Sequence, residues 1–147
     1  MAQPPSPRDV FHELVHGVCD QRWDDLPRLY ALETDVVHPF DPRRAPALRT
    51  REQLREHFHA GAVTLGQAGL RFQPANITVH DTADPEVIVA EFEYRGTLPR
   101  TGALFAVPCI FVLRVRDGEI VASRDYVDHL AMARALGQLD QLAAALK

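Results

Sequence analysis

The sequence has little of what disulfide scaffolds, nucleic-acid binders and membrane proteins require. It holds two cysteines, Cys19 and Cys109, and they show no spacing typical of a metal or redox site. Lys147 is the only lysine, and the formal net charge of -4 with a pI of about 5.9 argues against a nucleic-acid or anionic-membrane surface. No apolar run approaches the ~18 residues of a membrane span. We therefore expect a cytoplasmic domain with no nucleic-acid or membrane partner.

Motifs that bind nucleotides or activate a serine are also missing. The sequence contains no G-x-G-x-x-G, no phosphate-binding loop and no G-x-S-x-G elbow. We therefore expect no nucleotide cofactor and no serine hydrolysis, and the residues call for no other cofactor.

One segment does match a zinc-protease motif. His12, Glu13 and His16 form a literal H-E-x-x-H on a predicted helix, which places both imidazoles on one face. The motif begins at residue 12, so no sheet precedes it, and no H-x-x-G-x-x-H extension follows. The same helix is explained as an amphipathic core helix, so we expect no metal site.

Helical patterns occupy the first half of the chain. Ser6, Pro7 and Asp9 form a helix start, and apolar residues then recur at three- and four-residue spacing. A second short helix is predicted from Asp24 to Leu32, and a Pro/Arg-rich loop follows later, from Asp41 to Arg49. Thr50 then begins a third helix with a capping-box pattern.

The second half changes to the period of strands, and the last segment, from about His129, is Ala/Leu-rich and helical. The predicted strands are Thr34–His38, Leu70–His80, Glu86–Thr97, Ala103–Arg116 and Glu119–Val127. Residues 1–8, with three prolines, are predicted to form a flexible tail, and 9–147 a single domain. This order predicts an α+β fold, in which a curved sheet wraps around helices and leaves a cone with a small-molecule pocket.

Four ordered features resemble the SnoaL-like and ketosteroid-isomerase-like group of the NTF2-like superfamily. They are the helix from Arg22 to Tyr30, the short strand ending His38-Pro39, the helix from Arg51 to Phe58, and the terminal segment from Arg116 to Tyr126. The resemblance covers about Val10 to Leu136 and implies a cone-shaped fold with a curved, mixed or antiparallel sheet. Because this superfamily hosts many reactions and also non-enzymes, the resemblance alone does not specify the chemistry.

The resemblance transfers some site residues and not others. His38 stands at the position of the ketosteroid isomerases' general base, just before Pro39, and Tyr30 matches a tyrosine that supports the pocket network. The oxyanion-hole tyrosine falls near Leu14 and the protonated aspartate near Phe111, so steroid-type enolisation is disfavoured. Relatives similar to limonene-epoxide hydrolase use two aspartates and an arginine.

Of those three positions, Asp125 matches one aspartate, whereas Phe92 and Tyr94 occupy the others. His38 and Asp125 are therefore the predicted catalytic pair. The resemblance points both into the cone, where an imidazole suits proton transfer at neutral pH and a carboxylate can orient it. Their alternative roles are a partly exposed histidine and an aspartate paired with an arginine.

A second set of residues is predicted to line the pocket and bind substrate. Tyr94 shares strand parity with Phe92, whereas Glu91 and Glu93 take the opposite, solvated or dimer-facing side. The predicted substrate-binding residues are Tyr30, Tyr94, His57, Phe58, Phe92, Phe111 and His129. Tyrosine and histidine at these positions are also compatible with core or helix-surface roles.

The favoured function is cofactor-independent acid/base chemistry on a small apolar metabolite. A cyclase, isomerase or dehydratase of a polyketide-like or terpenoid-like compound would use His38 for proton transfer, Asp125 to orient it and tyrosines to bind substrate oxygens. The alternatives are a non-catalytic small-molecule-binding or accessory protein, and an epoxide hydrolase. The family resemblance also implies a homodimer through the outer face of the sheet.

Overall fold

A computed structural model describes residues 2–147, and Met1, the first residue of the predicted tail, lies outside them. The first helix, α1, spans Pro7–Cys19. It begins there because the Ser6 hydroxyl accepts a hydrogen bond from the Asp9 amide while the Asp9 carboxylate accepts one from the Ser6 amide. Pro7 and Arg8, which the sequence analysis placed in a tail, therefore form the first turn of α1. The buried face of α1 includes Val10, Phe11, Leu14 and Val15.

The predicted second helix is wrong in type. Two short 3₁₀ turns, Trp23–Asp25 and Pro27–Leu29, stand in its place. Pro27 has no amide hydrogen to donate and its ring obstructs the preceding turn, so a continuous α-helix cannot pass through it. Tyr30 ends the second turn with extended backbone and is buried.

A short β-hairpin-like pair precedes the long helix. Strand β1 is Glu33–Val37, β2 is Leu48–Thr50, and α2 is Arg51–Ala68. The sequence analysis missed β2, which occupies the end of the predicted loop. The Thr50 side chain accepts from the Gln53 amide, so α2 begins at the predicted cap, and Gly69 closes it with a left-handed backbone (φ 63°).

Four long antiparallel strands follow and carry most of the sheet. They are β3 (Phe72–Asp81), β4 (Val87–Thr97), β5 (Leu104–Arg116) and β6 (Glu119–Val127). The final helical segment divides into α3 (His129–Ala135) and α4 (Leu139–Ala145). The break falls at Gly137, whose φ of 70° interrupts the helix that the sequence predicted as continuous.

The six strands form one mixed sheet in the order β2-β1-β6-β5-β4-β3. Neighbouring strands are antiparallel except β1 and β6, which run parallel. One face of the sheet packs against α1 and α2 around a continuous apolar core. The predicted α+β class, with a curved mixed sheet and helices against its inner face, is confirmed. No helix within 2–147 has the length and apolar character needed to cross a membrane.

Candidate active site

The parallel pairing of β1 with β6 creates the centre of the site. Val36 lies opposite Ser123 and Val37 opposite Arg124, so His38, the next residue, emerges beside Asp125. The His38 Nε2 and Asp125 Oδ2 atoms are 3.7 Å apart, with 19% and 10% of the two side chains exposed. That separation is longer than a hydrogen bond and too short to hold a water molecule between the atoms. The structure thus brings the two predicted catalytic side chains into direct contact.

Asp125 lies on the inner face of β6 in a nearly dry environment. Burial raises the pKa of Asp125 to about 7, while the hydroxyl of Ser123, which donates a hydrogen bond to Asp125 Oδ1, acts in the opposite direction. Near neutral pH the carboxyl group therefore exchanges readily between its acid and base forms. That is the property that proton-transfer chemistry needs.

His38 is neutral at neutral pH for the same physical reason. Burial lowers the pKa of His38, and the nearby His129 imidazole lowers it further, while the Asp41 carboxylate opposes both. With Nε2 facing Asp125, the other ring nitrogen, Nδ1, remains for a bound molecule. A neutral imidazole next to a carboxyl group of near-neutral pKa can accept a proton and be stabilised once it is charged.

Two further histidines surround His38. The His57 ring centroid is 5.4 Å from that of His38, and the His129 centroid is 6.4 Å from it in an edge-on arrangement. His57 lies on α2 with part of its side chain exposed. Partial burial of its imidazole and, secondly, the nearby His38 lower the pKa of His57 to about 4. His129, the first residue of α3, has its Nε2 buried without a hydrogen-bond partner among residues 2–147. The structure thus gathers all three predicted site histidines at one place.

The two tyrosines lie deeper than the histidines. Tyr30 and Tyr94 are 2% and 7% exposed, and burial raises the pKa of both phenols well above 10, with the Asp125 carboxylate adding to the effect. Both hydroxyls therefore stay protonated at any pH of interest.

The aromatic residues predicted to bind substrate form the packed interior. The Phe92 ring lies 4.9 Å from that of Phe111 and 5.1 Å from that of Tyr94, in edge-on contacts, and Phe58 lies 6.0 Å from Tyr30. Phe58, Phe92 and Phe111 are 8%, 3% and 6% exposed. These rings thus pack closely against one another in the interior of the cone.

A groove of about 810 Å³ lies on the other face of the sheet. Its apolar lining includes Phe40, Ile110, Tyr126, Leu130 and Leu146. Glu91 and Glu93 also line it, on the outer face that their strand parity predicts, and His129 reaches it at the end of β6. His129 therefore lies at the boundary between the inner site and the outer groove.

The side chains of the protease-like motif on α1 lie on the helix surface and contact each other and Arg28. His12 and His16 have stacked rings 5.9 Å apart, and Glu13 pairs with Arg28. Within residues 2–147 no three His, Cys, Asp or Glu side chains are grouped to hold a metal ion. The motif is explained by the amphipathic helix that carries it.

A family model for the SnoaL-like domain matches residues 11–123. The chain belongs to the SnoaL-like domain family. An uncharacterized PhzA/B-like protein of Pseudomonas aeruginosa is 32% identical over 113 residues, which cover 74% of this chain and 79% of that protein.

Solved structures show the same fold. A candidate isomerase from Bacillus subtilis superposes with a TM-score of 0.76 at 20% identity, covering 90% of this chain and 93% of that one. A protein of Catenulispora acidiphila with a ketosteroid-isomerase-like fold, solved with trimethylamine, has a TM-score of 0.66 at 17% identity, covering 90% and 95%. At these identities the likeness is one of fold.

Two residues of this SnoaL-like site escaped the sequence analysis. Ser123 donates a hydrogen bond to Asp125. The sequence pattern could have predicted this contact, because residues two apart on a strand lie on the same face. The Asp41 carboxylate opposes the lowering of the pKa of both His38 and His129. Asp41 lies in a loop, where its carboxylate accepts hydrogen bonds from the Arg43 and Ala45 amides. No periodic pattern indicates such a loop conformation.

Proposed function

We propose that this SnoaL-like protein is a cofactor-independent acid/base enzyme of the cytoplasm. Its substrate is a small, mostly apolar metabolite of polyketide or terpenoid type, and the reaction is a cyclisation, isomerisation or dehydration. The observation that carries the proposal is the contact of His38 with Asp125, a partly buried imidazole whose pKa is lowered and a buried carboxyl group whose pKa is raised to about 7. Shifts of this kind are common at catalytic sites.

In the proposed reaction His38 acts as the base. Its neutral imidazole removes a proton from a carbon atom next to a substrate carbonyl, and the imidazolium that forms lies against the Asp125 carboxylate. The proton then returns to another atom of the substrate. Tyr30 and Tyr94, both protonated, are proposed to bind substrate oxygens once the aromatic interior has opened around the ligand.

The experiment is proton exchange in deuterated water. A panel of uncharged ketones with acidic α-hydrogens, including 1-tetralone and 1-indanone, is incubated with the protein, and loss of the α-proton signals is followed by NMR. We expect His38→Ala to slow enzyme-dependent exchange about a hundredfold or more, and Asp125→Asn to slow it as well, with smaller changes in ligand affinity.

His59→Ala is the matched control, because His59 is an exposed histidine on the same helix as His57. It should leave exchange unchanged. Equal losses of exchange and of affinity in the His38 and Asp125 variants would contradict the acid/base assignment. Ligand binding without any exchange would favour the alternative function, a non-catalytic small-molecule-binding protein.

We also propose a homodimer formed by the outer face of the sheet. Exposed apolar side chains around the outer groove support it, among them Ile110 at 40%, Leu130 at 62% and Phe40 at 68% exposure. An isologous dimer would cover the same face on both copies.

A further inference from the structure

The His129 imidazole has one buried nitrogen, Nε2, that is unsatisfied within residues 2–147. Its Nε2 is buried, and no group among residues 2–147 accepts from it or donates to it. Buried polar atoms in folded proteins nearly always have a partner, because an unsatisfied one loses its hydration without compensation. A ligand that supplies this partner would therefore gain affinity from His129.

The surroundings of this atom identify the kind of ligand. His38 lies next to His129, with ring centroids 6.4 Å apart and ring planes at 78°. An oxygen atom hydrogen-bonded to His129 would therefore lie close to the His38 ring, and so would the carbon atom next to it. The pair thus suits a carbonyl group and its neighbouring carbon.

The charges around the two rings disfavour a charged ligand. Asp41 and Asp128 act on His129 from the neighbouring loop and from the position before α3, and Arg43 is the cation that opposes them. On the inner side, Asp125 adds a third carboxyl group and His57 is uncharged. Two carboxylates and a third, partly ionised carboxyl group outweigh one exposed arginine and repel an anion, whereas neutral imidazoles suit an uncharged carbonyl.

We infer that His129 is a catalytic residue whose Nε2–H donates a hydrogen bond to the carbonyl oxygen of an uncharged ketone substrate, opposite the base His38. The inference deepens the proposed function and rests on it for the chemical step. His38 takes the proton from the carbon next to the carbonyl, and the electron pair of that C–H bond becomes the enolate C=C as the carbonyl π electrons move to oxygen. His129 stabilises the oxygen as its negative charge grows. Return of the proton to the same or another carbon completes the step without a co-reactant.

The test compares a ketone with the hydrocarbon that lacks only its oxygen. Binding of 1-tetralone and of tetralin is measured by NMR titration on the intact protein, its His129→Phe and His129→Gln variants, and His59→Phe as the matched control. We expect the unsubstituted protein to favour the ketone by about tenfold. His129→Phe should abolish that preference, His129→Gln should retain part of it because its amide still donates, and His59→Phe should leave it unchanged.

A second readout separates a folding defect from a lost hydrogen bond. In protein labelled with ¹⁵N-histidine, the Nε2 resonance of His129 should move when 1-tetralone is added and stay in place when tetralin is added. An unmoved resonance, or a ketone preference that is absent or survives in His129→Phe, would overturn the inference.

The proposed function can fail separately from this inference. A ketone preference that depends on His129, without exchange of the α-protons of 1-tetralone, would refute the base role of His38 and keep the oxygen-binding role of His129. Exchange that depends on His38, together with a ketone preference that does not change when His129 is replaced, would keep the base role of His38 and refute the oxygen-binding role of His129.

Discussion

Asp125 is the residue at which function and stability oppose each other most directly. In the unfolded chain its carboxyl group would titrate near 3.8, whereas burial raises the pKa to about 7 in the folded protein. Between pH 3.8 and about 7, the folded state therefore keeps a proton on Asp125 that the unfolded state has released. Stability contributed by this group is fully present below pH 3.8 and is lost as the pH rises toward 7.

Replacing Asp125 by Asn should therefore stabilise the protein in neutral and alkaline solution. The rise from 3.8 to about 7 is roughly three pH units, which corresponds to at most about 4 kcal/mol in the free energy of unfolding. Urea denaturation at pH 4, 6 and 8 measures it. We expect Asp125→Asn to gain stability over the unsubstituted protein at pH 8 and to lose that advantage at pH 4. Asp117→Asn, at an exposed turn, is the control, and a gain independent of pH would refute the expectation.

Ser123 is the group that keeps the Asp125 carboxyl from titrating higher still. Its hydroxyl donates a hydrogen bond to Asp125 Oδ1 and so favours the charged form. In Ser123→Ala the pKa of Asp125 should rise above about 7, and a ¹³C NMR titration of the labelled side-chain carboxyl measures it. Ser123→Thr, which keeps the hydroxyl, should stay near the original value. An unchanged or lowered pKa in the alanine variant would show that this hydrogen bond does not control the titration.

At the scale of elements, local chemistry predicted most of the secondary structure. The caps at Ser6 and Thr50 placed the starts of α1 and α2, because capping depends on a few consecutive residues. Pro27 and Gly137 caused two of the errors, since both lie inside apolar patterns that otherwise continue as helices. The missed strand β2 has three residues, too few to show a period.

The site depended on information that periodicity does not carry. His38 meets Asp125 through parallel pairing of β1 with β6, strands more than 80 residues apart in the chain. Only the resemblance to a known family brought the two residues together before the structure did. The orphaned Nε2 of His129 and the contact of Phe92 with Phe111 depend on side-chain packing in three dimensions, which no one-dimensional pattern records.

Two glycines in different elements should respond oppositely to alanine. On β4, a Cβ at Gly96 would lie 2.4 Å from the Arg71 carbonyl oxygen and 2.7 Å from Phe105, so backbone would have to move. We expect Gly96→Ala to destabilise the protein by about 1–3 kcal/mol. A Cβ at Gly66 on α2 meets nothing within 4 Å, so Gly66→Ala should stabilise it by up to about 1 kcal/mol. Urea denaturation measures both, and equal effects would contradict the packing around Gly96.

At the scale of the whole molecule, the outer face of the sheet combines exposed apolar side chains with hydrogen-bonded carboxylates. Each copy carries a formal net charge of -4, which by itself opposes self-association. On this face, however, the Glu91 carboxylate is hydrogen-bonded to His80 Nε2 at 2.7 Å, and the Glu93 carboxylate accepts from Arg95 Nε at 2.7 Å. The carboxylates of Glu91 and Glu93 thus each have a hydrogen-bond partner within their own copy, which lowers the cost of covering them with a second copy.

Ile110 tests the proposed homodimer, because it lies on β5 opposite both Glu91 and Tyr126 and is 40% exposed on the outer face. A stable interface removes roughly 800 Å² from each partner, and a buried charge at its centre would have no partner of opposite sign. We therefore expect the protein to sediment as a dimer and Ile110→Glu to weaken association by at least about tenfold. Val63→Glu adds the same charge at a residue that is 46% exposed on α2, away from the outer face of the sheet, and should leave the dimer intact. Sedimentation velocity over a range of concentrations measures the association. A monomer at all concentrations, or a dimer that persists in Ile110→Glu, would contradict the proposed interface on the outer face. The outer groove would then be accessible from solution.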